Sequence, residues 1–236
     1  MISLFTFTTP EHECSYLPEQ TASLRYEVVG SATAAEYQAR LEAGWRRFGR
    51  SMFRHACPAC SRCWSLRVPI GSFAPDRSQR RAWKANADVR LEIGDPEVTE
   101  EKLELFDRFH EYQSLVKDWP EQDAKEPEDY AKSFLDNPFP TEEWQYFVGE
   151  RLVGVGYVDA LPQGLSAIYF FYEPEERGRS LGTYNVLRIL AGAATRQLPH
   201  VYLGYYVAGC RSLEYKARFR PTEVLGPAGD WEPFGG

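Results

Sequence analysis

Apolar residues recur at helical spacing through residues 33–49, at Tyr37, Leu41, Trp45 and Phe48, behind Thr33 and Glu36 in capping-box form. The pattern predicts a helix over 33–49, whose last turn would present Arg46, Arg47 and Arg50 at the negative end of its dipole. "CWSLRVPI" (63–70) alternates like a half-buried strand, and "DRSQRRAWKANADV" (76–89) then reads as a basic helix opening at Asp76 or Ser78. Leu103, Phe106, Phe109 and Tyr112 mark an acidic amphipathic helix over 98–116. "KDWPEQDAKEPEDY" (117–130) is turn-rich and charged, and is expected to be a mobile connection or specificity insert outside the core.

The texture changes at Glu143. "EWQYFVGE" and "RLVGVGYVDA" predict a hairpin around Gly149–Arg151, "GLSAIYFFYE" gives a third strand, and a helix is expected from about Ser180. "HVYLGYYV" gives a further strand, and "RSLEYKARF" a short basic helix before Pro221. Meander, glycine-containing turn, helix, strand, helix is the order of N-acyltransferase folds related to the GNAT family. The expected class is α+β, with a GNAT-like catalytic half over 91–236 that includes an acidic insert at about 91–142. A smaller cysteine-containing subdomain is expected over 1–90.

Composition adds a charge split. The net charge is −7, yet residues 40–90 hold twelve Lys/Arg against three Asp/Glu, and residues 91–150 hold five against eighteen. Residues 176–220 are basic again, eight against two. Solvated faces of opposite sign explain this simply. The sharper reading brings 40–90 and 176–220 together as an RNA-facing surface and turns the acidic insert away. "MISLFTFTTP" has no basic n-region and no apolar run approaches the length of a bilayer span. With an odd number of cysteines, five, a reducing cytoplasm is the expected setting.

Candidate chemistry sits in three places. "CPACSRC" offers Cys57, Cys60 and Cys63 at two-residue spacing, enough thiolates for part of a zinc or iron–sulfur site that would need a fourth ligand. "ERGRSLGT" (176–183) places Arg179, Ser180, Gly182 and Thr183 at a helix start, where backbone N–H groups and the dipole favour an anion; Ser180 also suits a plain N-cap. "YLGYYVAGCRSLEYKARFRP" combines tyrosines with Lys216, Arg218 and Arg220, cations suited to phosphate or an acidic peptide group. His12, His55, His110 and His200 form no triad-like or metalloprotease pattern. Covalent catalysis therefore lacks support, and positioning two substrates fits better.

"EYQARLEAGWRRFGR", "CPACSRCWSLRVPIGSFAPDRSQRRAWKAN", "YFFYEPEERGRSLGTYNVLRI" and "VYLGYYVAGCRSLEYKARFRP" resemble the aminoacyl-tRNA–protein transferases of the N-degron pathway, nearest to the bacterial aspartate/glutamate leucyltransferases and more distantly the eukaryotic arginyltransferases. The resemblance covers nearly the whole chain. It implies transfer of leucine, or arginine, from charged tRNA to the α-amine of proteins beginning with Asp or Glu, creating a degradation signal. Under it, Arg46, Arg47, Arg179, Ser180, Gly182 and Thr183 are expected to meet tRNA. Arg77, Arg80, Arg81, Lys216, Arg218 and Arg220 are expected to include readers of the acidic acceptor residue. Tyr205 and Tyr206 are candidates for taking the amine proton. No cofactor is required; a zinc or iron–sulfur site would draw on Cys14, Cys57, Cys60 and Cys63, with Leu17 standing where eukaryotic members pair a second cysteine with the first.

Two other readings use parts of the same residues. A coenzyme A-dependent GNAT N-acyltransferase would use the helix-start loop without needing the basic 40–90 segment. A non-catalytic RNA-binding or cluster-sensing module would use the cysteines and basic faces without a catalytic cleft.

Overall fold

The computed structural model describes residues 1–117 and 119–235 of the chain. Its first strands are β1 (Ile2–Thr8), β2 (His12–Glu13), β3 (Thr21–Ala22) and β4 (Leu24–Ser31), followed by helix α1 (Ala34–Glu42). Then come β5 (Arg46–Phe48), β6 (Ser51–His55), β7 (Trp64–Pro69), α2 (Arg77–Ala85) and β8 (Val89–Gly94). Helices α3 (Glu100–Lys117) and α4 (Pro127–Phe134) precede the meander β9 (Thr141–Val148), β10 (Arg151–Leu161) and β11 (Gly164–Tyr172). The chain closes with α5 (Leu181–Thr195), β12 (His200–Tyr206), α6 (Arg211–Glu214), a 3-10 turn over Tyr215–Arg218, β13 (Thr222–Leu225) and β14 (Trp231–Phe234).

The result is a mixed α/β molecule built on an eight-stranded sheet ordered β14-β13-β7-β12-β11-β10-β9-β8. A four-stranded sheet, β1-β4-β6-β5, lies beside it. Strand β7, from the basic N-terminal segment, pairs with β12 and β13 inside the large sheet. Helix α5 packs the main core against Leu66, Val153, Leu165 and Val201. A second core gathers Leu105, Phe106 and Phe109 of α3 with Tyr130 and Phe134 of α4 on β10 and β11.

Several expectations shift. Helix α1 ends at Glu42 because Gly44 turns at φ +86, a conformation that a side chain resists, and Arg46 and Arg47 therefore lie on β5 rather than in a last helical turn. Residues 127–130, the end of the stretch expected outside the core, open α4, and Tyr130 is fully buried. The acidic segment is not turned away, since Phe109, Gln113 and Lys117 of α3 line the main cleft. Other elements fall where the pattern puts them. Asp76 caps α2, with Gln79 completing the box, and α3 and the β9–β10 hairpin match their predicted spans closely.

Polar groups fasten the two sheets. Arg47 grips both carboxylate oxygens of Asp159 on β10, its Nε at 2.7 Å from Oδ2, and Tyr37 Oη and Thr141 Oγ1 donate to the same carboxylate at 2.7 and 2.9 Å. Asp159 is fully buried and Arg47 is 5% exposed. Beneath α3, Lys102 Nζ lies 2.5 Å from Glu143 Oε1, and Tyr157 Oη donates to Glu143 Oε2 at 2.9 Å.

Removing the charge of Asp159 while keeping its shape strands a buried guanidinium. Asp159→Asn is expected to cost about 3–5 kcal/mol of unfolding free energy. A urea midpoint within error of wild type would show that the pair does not hold the sheets together.

Candidate active site

Strands β11 and β12 run parallel, but they pair only over Gly164–Ser166 with His200–Tyr202 and then part. The opening leads into a cleft of about 540 Å³ between them, closed by α3 on one side and by the α5 start and the 211–216 segment on the other. Two backbone irregularities shape it. The β10–β11 register slips between Tyr157 and Val158, so Ile168 is an extra residue in β11, and a bulge of this kind leaves a backbone amide unpaired. Gly204, at φ +83, lets Lys216 Nζ come within 3.4 Å of where a Cβ would stand.

The cleft lining combines two chemistries. Ile168, Phe170, Tyr172, Val186, Leu203 and Phe109 supply apolar surface. Lys117, Arg211 and Lys216 supply positive charge, and among the described residues no Asp or Glu lines the cleft. Ser180, in the left-handed conformation at φ 57, starts α5, whose dipole adds further positive potential at Gly182 and Thr183.

Behind Lys216 the potential is stronger still. Arg46 is buried, with Nη1 donating to the Leu41 and Trp45 carbonyls at 3.2 and 2.7 Å, while Nε and Nη2 have no hydrogen-bond partner among the described residues. Its guanidinium stacks on the Tyr205 ring at 5.4 Å. Desolvation, and then Arg46, brings Lys216 down to about 7, and the same two causes bring His55 down to about 4. Lys216 Nζ donates to the Tyr205 carbonyl at 3.0 Å, and neither Arg46 nor Lys216 has a carboxylate partner among the described residues. A buried guanidinium beside a half-buried lysine, neither with a counter-charge among the described residues, favours an incoming anion.

Of the tRNA set expected from sequence, Ser180, Gly182 and Thr183 line the cleft, whereas Arg46 and Arg47 lie behind it. Arg179 turns outward, bridging Asp88 at 2.8 Å and Glu176 at 2.6 Å and holding the α2–α5 junction. Of the acceptor set, Lys216 alone lines the cleft. Arg77, Arg80 and Arg81 lie on exposed turns of α2; Arg218 is exposed, with its carbonyl accepting from Gln79, and Arg220 precedes Pro221.

The tyrosines also face elsewhere. Tyr205 Oη donates to the Gly44 carbonyl at 2.9 Å, burial pushes its pKa well above the usual range, and Tyr206 packs between Trp64 and Phe234. The bulge at Gly204 shifts the β12 register and turns these side chains away from the opening. Tyr169, Arg211 and Tyr215 line the cleft instead. Arg211 and Tyr215 sit in the basic segment that sequence had marked, but nothing in the pattern singled out Tyr169.

The cysteines gather around Cys63 without forming a ligand set among the described residues. Cys14 and Cys210 are buried with Leu17 and Val207, with Cys57 and Cys63 packed at the edge, while Cys60 stands outside this cluster. Cys210, not Cys60, joins the group, and among the described residues no three Cys, His, Asp or Glu are placed to hold a metal ion. Desolvation, then the neighbouring cysteines, pushes the Cys63 thiol up to about 12. These side chains do not fit the closed site the cysteine spacing allows.

Residues 12–81 match the family profile for the N terminus of arginine-tRNA-protein transferases, and residues 101–226 the profile for the C terminus. An aspartate/glutamate leucyltransferase of Pseudomonas savastanoi pv. phaseolicola is 38% identical over 221 residues, 93% of this chain and 92% of that protein. Those of Nitrosococcus oceani and Campylobacter jejuni subsp. jejuni are 38% and 32% identical, covering 92% and 93% of this chain and 91% and 92% of theirs. The solved L-PGS structure from Bacillus licheniformis superposes with a TM-score of 0.45 at 13% identity, covering 84% of this chain and 62% of that one; the strand order, not this likeness, defines the fold. No helix among the described residues is long and apolar enough to cross a membrane. With both profiles matched and relatives of this identity spanning nearly its full length, the chain belongs to the arginine-tRNA-protein transferase family.

Proposed function

We propose that this protein transfers leucine from charged tRNA to the α-amine of proteins that begin with Asp or Glu, using the β11/β12 cleft as the transfer site. The observation that carries the reading is the cleft lining: apolar surface together with three cations, and no carboxylate among the described residues. An arginyl side chain would call for an acidic partner, whereas a leucyl side chain needs only the apolar surface. The cations suit the carboxylate of the acceptor residue. The names of the relatives point the same way.

The fold reading goes with it. The β9–β10–β11 meander, the bulge, the parting of β11 from β12 and the helix between them follow the plan of GNAT-type acyltransferases, which brings an amine and an acyl donor together at such an opening. The division at residue 90 is taken as one of labour. Residues 1–90 carry four of the five cysteines and supply Arg46 behind the acceptor side, residues 91–236 form the transfer cleft, and β7 ties the two parts.

The α5 start, with Ser180, Gly182 and Thr183, faces the phosphate and ribose of the tRNA terminus. The amine attacks the ester carbonyl, the developing oxyanion is met by the amide freed at the β11 bulge, and the ribose oxygen departs. Placing two substrates in this geometry supplies on the order of 7–11 kcal/mol of the barrier without a covalent intermediate.

Three outcomes test the reading. Transfer to an Asp-initiated peptide should proceed with Leu-tRNA and not with Arg-tRNA; the reverse would reassign the donor. A Cβ on Gly182 meets nothing within 4 Å, so Gly182→Val should fold with wild-type stability yet lose kcat/KM for Leu-tRNA; an unchanged kcat/KM would move the tRNA terminus elsewhere.

The third concerns Lys216. Near pH 6 it is protonated and pairs the acceptor carboxylate, and as pH rises through about 7 the unliganded side chain loses its proton. The KM for an Asp-initiated peptide should therefore rise above pH 7 while that for an Asn-initiated peptide stays level. The sign for folding is opposite: above pH 7 the unfolded lysine still binds a proton that the folded one has released, so unliganded stability should climb toward pH 10. Lys216→Met should lower the Asp-over-Asn preference by about 2–5 kcal/mol. An unchanged preference would place the acceptor pocket away from Lys216.

A further inference from the structure

The cleft contains a pair of groups whose polarity is fixed by their surroundings. Tyr169 of β11 lines the cleft, and its hydroxyl lies 2.8 Å from Nε2 of His110 on α3. On the far side of the imidazole, Nδ1 lies 2.8 Å from the carbonyl oxygen of Phe106, one turn earlier on the same helix. A carbonyl oxygen only accepts, so Nδ1 carries the proton, Nε2 offers a lone pair, and Tyr169 donates to it. With its proton committed to His110, the Tyr169 oxygen can only accept from a group in the cleft.

The packing holds this arrangement. The Phe106 ring covers His110 at 3.8 Å, Tyr169 lies parallel to the imidazole within 1°, and Phe109 and Trp119 complete the surround. Desolvation keeps the imidazole neutral below its usual range. Of the charged groups around it, Asp107 raises its proton affinity and Lys125 lowers it, while Glu111, Glu121 and Asp123 border the hollow on its other face. From α4, the hydroxyl of Tyr130 is engaged by Tyr157 at 2.6 Å and takes no part.

We propose that Tyr169 and His110 form the proton relay of the transfer reaction, with Tyr169 the catalytic residue that accepts the proton of the acceptor's α-nitrogen and His110 the positioning residue that takes the tyrosine's proton in turn. The proposal rests on the transfer reading above. As the C–N bond forms, the carbonyl π pair moves onto oxygen, an N–H proton passes to Tyr169 Oη, and the Tyr169 proton passes to His110 Nε2. Imidazolium results, its Nδ1–H still held by Phe106. When the tetrahedral centre collapses, the C–O bond to the ribose breaks and its electron pair stays with the ribose oxygen. The proton returns through Tyr169 to that oxygen, leaving both residues as they began. Every proton is accounted for without a cofactor, and this pair fills the place that sequence had offered to Tyr205 and Tyr206.

The test uses the full chain in single-turnover transfer to an Asp-initiated peptide, with Leu-tRNA and Arg-tRNA as parallel donors, across pH 5–9. Tyr169→Phe keeps the ring packed on Phe106 and Phe134, so it should melt like wild type. It should lose about 10²–10⁴-fold in transfer rate, as expected for removal of a general base. The KM for peptide should stay within about twofold, since ground-state binding is untouched. His110→Gln should show the same rate loss and should leave only the shallower low-pH limb of the acceptor's α-amine, removing the further fall set by imidazole protonation, which packing damage alone would not do. If Tyr169→Phe transfers at the wild-type rate, or if both variants lose rate while keeping the wild-type pH profile, the relay is overturned. Should His110→Gln fail to fold, the rate and pH profile of Tyr169→Phe decide alone. A wild type that transfers only arginine corrects the donor and leaves the relay to the variants, whereas one that transfers neither amino acid overturns both.

Discussion

Asp159, near the end of β10, has no solvent contact, and three groups from distant parts of the chain converge on its carboxylate: Arg47, Tyr37 and Thr141. An ion pair this deep is costly to desolvate, so it persists only with near-complete hydrogen bonding, which the tyrosine and threonine hydroxyls provide. The geometry admits one way of docking α1 and β5 against the large sheet. Because Arg46 is the neighbour of Arg47 on the same short strand, that docking also sets where the second buried cation lies. The electropositive ground behind the cleft is thus a consequence of how the two sheets are joined.

Arg46 differs from Arg47 in having no carboxylate partner among the described residues. Its unpaired nitrogens, the depressed Lys216 and the depressed His55 describe one electrostatic fact from three positions: positive charge without compensation. Such a region is destabilising in the empty protein and becomes favourable only when an anion enters. The Lys102–Glu143 pair shows the contrast, since there the carboxylate is also held by Tyr157 and the charge is internally satisfied. The satisfied pair holds the fold, while Arg46 keeps two buried nitrogens without partners among the described residues.

Transfer between an amine and an ester needs position, an oxyanion donor and a route for one proton. In the transfer proposed above, the parting of β11 from β12 would give the first, the bulge at Ile168 the second, and the Tyr169–His110 pair the third. All three arise from backbone irregularity or helix packing on one side of a single sheet. The aromatic cluster of Phe106, Phe109, Tyr130 and Phe134 that sequence had left partly outside the core keeps His110 dry and its tautomer fixed.

The sequence by itself determined the elements that follow from local periodicity and capping: α2 from Asp76 and Gln79, α3 from its apolar stripe, the β9–β10 hairpin, and the helix start after Ser180. It also determined family membership, because long motifs survive in order along the chain. Tertiary structure alone decided the rest. Helix α1 stops early because Gly44 and the β5–β6 pairing outweigh an apolar repeat that continues to Phe48. The expected site residues separated according to side-chain direction, which adjacency in sequence does not specify: Lys216, Ser180, Gly182 and Thr183 entered the cleft, Arg179 turned to Asp88 and Glu176, and Tyr205 turned to Gly44. Tyr169 and His110 are 59 positions apart, and neither carries a local signature, so their meeting could be read only where helix α3 lies across β11.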